Sequence, residues 1–134
     1  MFDEKRFELY LKEIQCYPEM YVGKPSLERL ASQLGGFQDA YRLMDVPLEL
    51  FPGFRRFAMG KYPSDKILHY LEVIRQRCNF DDEKAFFFFF ELLNEFLENG
   101  GKIALIHEEN IYEENIYEEV CEESFENVEE NRQD

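Results

Sequence analysis

A mainly all-α fold, a single-domain helical bundle of five to six helices, is predicted for this chain of 134 residues by three observations. Apolar residues recur at steps of three and four through most of its length. Glycines and prolines cluster between those stretches, where helices must stop. The composition, 45% hydrophobic with fourteen phenylalanines, is apolar enough to fill a core despite a net charge of −14.

The first helix is read from "DEKRFELYLKEIQ", with acids at its start and Phe7, Leu11 and Ile14 on one face. Pro18 ends it, and "YPEMYVGKPS" reads as a short extended or turn segment punctuated by Gly23 and Pro25. Pro25 and Ser26 suit a helix entry. Leu27, Leu30, Leu34, Phe37, Tyr41 and Met44 then follow at steps of 3, 4, 3, 4 and 3, a buried stripe. Gly35-Gly36 inside it either bends the helix or lets another helix come close.

In "DVPLELFPGFRRFAMGKY" two prolines and two glycines break the pattern, and Phe54, Phe57 and Ala58 predict a short helix. "PSDKILHYLEVIRQRC" predicts another, with Ser64 as cap and Ile67, Leu71, Ile74 and Cys78 as the inward line. "NFDDEKAFFFFFELLNEFLENGG" begins with aspartates at a helix's positive end and stops at Gly100-Gly101. On a helical wheel Phe86, Phe89, Phe90, Leu93, Phe96 and Leu97 share one face, whereas Phe87 and Phe88 point away from it. Apolar character on most sides predicts the central helix of the bundle rather than an exposed aromatic binding surface.

"KIALI" is either a short strand near 102–107 or the opening of a last helix, too short for its period to decide. From Ile116 the pattern clears. Ile116, Tyr117, Val120, Cys121, Phe125 and Val128 fall in one half of a wheel, and Glu118, Glu119, Glu122, Glu123, Glu126 and Glu129 in the other. That is an acidic amphipathic C-terminal helix. It follows a tandem ENIYE whose first copy, around Ile111 and Glu113, fits the wheel poorly and reads as a junction. The expected organisation is a helical core over 1–107 and an acidic C-terminal segment over 108–134, helical from about 116.

Charge divides along the same boundary. Residues 108–134 hold twelve acids and one base, Arg132, a net −11; residues 1–107 hold seventeen acids and fourteen bases, a net −3. An acidic block repels nucleic acid and anionic lipid, so neither is expected as a partner and a basic protein is. Cys16, Cys78 and Cys121 stand far apart in no CxxC arrangement, which points to a reducing compartment without a disulfide framework or zinc site. The charged start "MFDEKRFELY" lacks the apolar run of an export signal, and no apolar run approaches a membrane span. A cytoplasmic protein is expected.

Catalytic patterns are missing from the sequence. "HEENI" after Ile106 is not HExxH, because Ile111 stands where the second imidazole belongs. His69, in an amphipathic stretch, reads as a surface or boundary residue rather than a base. Ser26, Ser32, Ser64 and Ser124 have no GxSxG context, and neither a P-loop nor GxGxxG occurs. No catalytic residue, metal or cofactor is expected, and the chain is read as a non-enzyme.

Two resemblances bear on function. "YPEMYVG" resembles the RPGMYIG segment of gyrase-type ATPases at Pro18, Met20, Tyr21 and Gly23, but "LASQLGGFQDAYRLMDV" lacks their metal-holding asparagine and no glycine-rich nucleotide loop follows. More of the chain, much of 3–98, resembles a family of small bacterial proteins found beside polymorphic or contact-dependent toxins. It does so through "MYVGKPSLERLASQLGGFQDAY", "FRRFAMGKY", "ILHYLEVI" and "DDEKAFFFFFELLNEFL" in that order. The resemblance implies an immunity protein, with a cognate toxin domain, such as a nuclease, as its partner.

A nuclease is basic because it holds phosphates, so an acidic surface can occupy the same site. The candidate partner-binding residues are therefore Glu113, Glu114, Glu118, Glu119, Glu122 and Glu123, with Tyr112 and Tyr117 as aromatic anchors. The alternative is a non-enzymatic helical adaptor or regulatory protein. In that reading Ile116, Val120 and Phe125 pack on the core and the glutamates only keep the chain soluble.

Overall fold

The structure, a computed structural model, describes residues 2–64, 66 and 68–107. The expected helix from about 116, and with it Tyr112, Glu113, Glu114, Tyr117, Glu118, Glu119, Glu122 and Glu123, lies outside the described residues. Within them the chain forms six helices and one two-stranded sheet, a mainly helical fold.

Helix α1 (Glu4–Cys16) starts where Asp3 Oδ1 accepts from the amides of Lys5 and Arg6 at 3.1 and 3.2 Å, and it buries Phe7, Leu11 and Ile14 as their spacing predicts. Of the extended and turn readings of the segment after it, the turn is the one found. Pro18–Tyr21 forms one helical turn, α2, because proline at a first helical position carries its fixed φ and gives up no needed N–H. The Tyr21 hydroxyl donates to the Glu13 carboxylate and ties α2 back to α1.

Helix α3 (Leu27–Leu43) buries Leu27, Leu30 and Leu34 and leaves Phe37 and Tyr41 half-buried. Met44, read as the last residue of that stripe, is 62% exposed. The helix ends at Leu43, and the chain reverses through Asp45 at φ 60° with the Val46 amide donating to Tyr41 O at 2.9 Å. Gly35 and Gly36 do not break α3, and nothing among the described residues lies within 4 Å of where a Cβ would stand on either. The close neighbour that they allow is not found there.

Strand β1 (Leu48–Leu50), hidden in the sequence between two prolines, alternates buried, exposed, buried. Its partner is β2 (Ala104–Ile106), so "KIALI" is a strand: the pairs are antiparallel, Leu48 with Ile106, Glu49 with Leu105, Leu50 with Ala104. Phe51 follows at φ 54°, a left-handed conformation costly for a bulky residue. Its amide donates to Ile103 O at 2.9 Å, and its ring is buried against Phe7, Phe54 and Phe89. Sheet and core together hold that backbone in place.

Helix α4 (Phe54–Lys61) forms where Phe54, Phe57 and Ala58 predict it. Helix α5 (Tyr70–Arg77) starts later than Ser64, whose Oγ instead accepts from the Lys66 amide in a local turn. The start is set by His69. Ile67, first of the expected inward line, lies outside the described residues, and the buried pair is Val73 and Ile74 while Leu71 and Cys78 are half-buried.

Helix α6 (Asp82–Glu98) packs against α3, α4 and α5, the central place its composition predicts. Phe86, Phe89 and Phe90 are almost wholly buried, each contributing about 1.5–3 kcal/mol by leaving water. Phe87 is 43% exposed, whereas Phe88 finds the Tyr62 ring at 5.8 Å. Gly101 closes the helix; an added Cβ there would stand 2.5 Å from the Phe96 ring.

Candidate functional site

The helix start of α3 is the first place to look for chemistry, because its unpaired N–H groups and dipole suit an anion. A polar hollow of about 640 Å³ opens there, between the α2–α3 turn and the first residue of α6. Its anion is internal. Asp82 accepts from the Glu28 amide at 3.0 Å through Oδ1 and from the Ser26 hydroxyl through Oδ2, while Ser26 Oγ accepts from the Arg29 amide at 3.2 Å.

Ser26 is the buried polar residue of the described core, 2% exposed, and it is fully engaged. Partial burial would raise the Asp82 pKa, but the hydrogen bonds from Ser26, Glu28 and Leu27 and the Arg75 charge bring it below the ordinary 3.8. Arg29 donates to Val22 O at 3.2 Å over Gly23, whose φ of 88° and closeness to that guanidinium leave no room for a side chain. The hollow is thus a joint between α3 and α6 in which Ser26, Arg29 and Asp82 are already engaged.

Asp82 is a residue that sequence reading misses in this role. The aspartates before α6 read as charges on its own dipole, yet Asp81 alone caps it, through the Lys84 amide at 3.0 Å. The second aspartate was the available signal. Asp82→Ala is expected to lower stability by about 1–2 kcal/mol near neutral pH in urea unfolding. Because the folded pKa is depressed, the wild-type advantage is present above pH 3.8 and fades as pH falls through the folded value. A difference between the two proteins that stayed constant down to strongly acidic pH would contradict this.

The second hollow, about 290 Å³, is a groove along α3 on the side of β1 and the start of α5. Leu30, Leu34, Leu50 and Phe89 line it, and Arg42 and His69 stand among its polar residues. His69 does not lie within a helix, as its stretch suggests, but caps one: Nδ1 accepts from the Leu71 amide at 3.2 Å, and the ring lies 4.2 Å from that of Tyr70. Burial first, then the charges of Arg55 and Arg75, push its pKa below 6.5. Burial also raises Tyr70 to about 12.

A capping Nδ1 must be unprotonated to accept. The stability that His69 supplies is therefore complete above pH 6.5 and is lost as pH falls through the lower folded value. His69→Asn, which keeps an acceptor, is expected to abolish this part of the pH dependence. Thermal melts across that range check it, and an unchanged pH slope in His69→Asn would contradict it.

Other predicted chemistry falls as follows. His107 lies beside Glu49, Nε2 to Oε2 3.6 Å, across the strand pair. Cys16 and Cys78 are free thiols. Among the described residues no group of three His, Cys, Asp or Glu side chains is placed to hold a metal ion. No described helix is long and apolar enough to cross a membrane. Compared with known proteins, the chain matches no family model, no curated protein and no solved structure.

Proposed function

We propose that the chain is a bacterial immunity protein, a non-enzymatic inhibitor that binds and neutralises a cognate basic toxin domain in the cytoplasm. The observation that carries the reading is charge segregation: −11 over residues 108–134 against −3 over the preceding 107. Such a block draws a positively charged partner in by long-range attraction and repels nucleic acid competing for the same site. Glu118, Glu119, Glu122 and Glu123 supply the field, and Tyr112 and Tyr117 supply rigid aromatic area inside it. The resemblance of 3–98 to proteins encoded beside toxins points the same way.

Mixing the purified chain with the toxin domain encoded beside it is expected to give a stoichiometric complex by calorimetry, weakened by added salt. No heat of binding at any salt concentration would sink the proposal.

A further inference from the structure

The two strands of the small sheet differ in what lies beyond them. The Phe51 amide donates to Ile103 O at 2.9 Å and the His107 amide to Pro47 O at 3.1 Å. In the antiparallel register this makes Phe51 with Ile103, Glu49 with Leu105 and Pro47 with His107 the hydrogen-bonded pairs. The pairs between them, Leu48 with Ile106 and Leu50 with Ala104, turn their N–H and C=O groups away from each other, toward the outer edges of the sheet.

On the β1 side both outward amides are taken. Leu50 donates to Gln38 Oε1 of α3 at 3.4 Å, and Leu48 donates to Val46 O at 2.8 Å. The β2 edge looks the other way, and the backbone groups of Ala104 and Ile106 have no hydrogen-bond partner among the described residues. Such an edge is a template for another strand unless charge, proline or a bulge blunts it. Ile103, Ala104, Leu105 and Ile106 include no charged residue and no proline, and their register with β1 is unbroken.

We infer that β2 pairs with β2 of a second copy of this chain about a two-fold axis, giving a four-stranded sheet in the order β1-β2-β2-β1. This goes beyond the toxin reading and does not depend on it. The outward groups fix the register. Ala104 of each copy faces Ile106 of the other and exchanges both N–H···O bonds with it. Leu105, whose own groups point to Glu49, then faces its counterpart as a non-hydrogen-bonded pair, Cα atoms about 4.5 Å apart.

Charge selects the occupant. The edge is neutral, with Lys102 exposed at its start, so a basic strand gains nothing there and an apolar strand is what fits. The chain supplies that strand itself, and Leu105 and Ile106, both half-buried, are the side chains that pairing covers further. Two copies of net charge −14 repel each other, so the dimer is weak and is strengthened by salt, the reverse of a complex with a basic partner.

In the full chain carrying Cys16→Ser, Cys78→Ser and Cys121→Ser, Leu105→Cys is compared with Glu49→Cys. Glu49 is exposed and pairs with Leu105 within the sheet, but in the dimer three strand spacings, about 14 Å, separate it from its counterpart. With diamide as the oxidant that accepts the two electrons and two protons of the thiols, Leu105→Cys is expected to form a disulfide-linked dimer at least about tenfold faster than Glu49→Cys. Adding Ile106→Pro puts a ring where the outward N–H stood and leaves the hydrogen-bonded pairs of β1 and β2 in place, so it should remove that preference. Sedimentation equilibrium of the wild-type chain should show a dimer that grows with concentration and with salt. Equal cross-linking rates at the two positions overturn the inference, and so does a preference that survives Ile106→Pro or a wild-type chain that stays monomeric at every concentration and salt.

Discussion

If the chain acts as proposed, changing Glu118, Glu119, Glu122 and Glu123 together to lysine is expected to slow association with its cognate toxin domain by about 10²-fold at low ionic strength. Each reversal moves the charge by two units, so four of them take residues 108–134 from −11 to −3. All four lie on the half of the wheel opposite Ile116, Val120 and Phe125, so the apolar face is left intact. The effect should be mostly in the association rate and should shrink as salt shortens the screening length to about 8 Å near 0.15 M. Stopped-flow association over a salt series reads both signatures. Unchanged affinity and an unchanged salt slope would show that this face is not the interface.

The second large effect is on the fold. Phe89 is 1% exposed and its ring meets Phe51, Phe54, Tyr70 and Phe90 at centroid distances of 5.2 to 6.3 Å. Phe89→Ala is expected to cost about 3–5 kcal/mol, from lost transfer energy and the cavity left among aromatic neighbours that cannot all close in. That corresponds to a melting temperature lower by roughly 10–20 °C for a chain of this size. Phe87→Ala, two residues away on the exposed side, should stay within about 0.5 kcal/mol. Similar losses at the two positions in urea unfolding would contradict the assignment of inner and outer faces of α6.

The helices that could be read are those whose local signals agree. In α1 a capping Asp3, acids in the first turn and Phe7, Leu11 and Ile14 at helical spacing all point to the same element, and the same is true of Ser26 with α3. Where the reading departs from the structure, a distant partner decided. Leu48–Leu50 has no strand pattern long enough to notice, and it exists because Ala104–Ile106 pairs with it from more than fifty residues away. His69 starts α5 in place of Ser64, and a stronger cap consensus at Ser64 gave no hint of that.

The same limit applies to sites. Asp82 and Ser26 are fifty-six residues apart, and no spacing rule joins them. The α3 groove is likewise a product of three elements, α3, β1 and the start of α5, closed below by Phe89. By contrast the acidic C-terminal face is a purely local reading, one helix period sorting glutamate from apolar residues within a single stretch, and it lies outside the described residues.

The most direct measurement is the growth of cells co-expressing this chain with a cognate toxin domain of the kind the proposed function requires. The account predicts that the wild-type chain restores growth and that the four-lysine variant, present at the same level, does not. Growth arrest that the wild-type chain leaves untouched would contradict it.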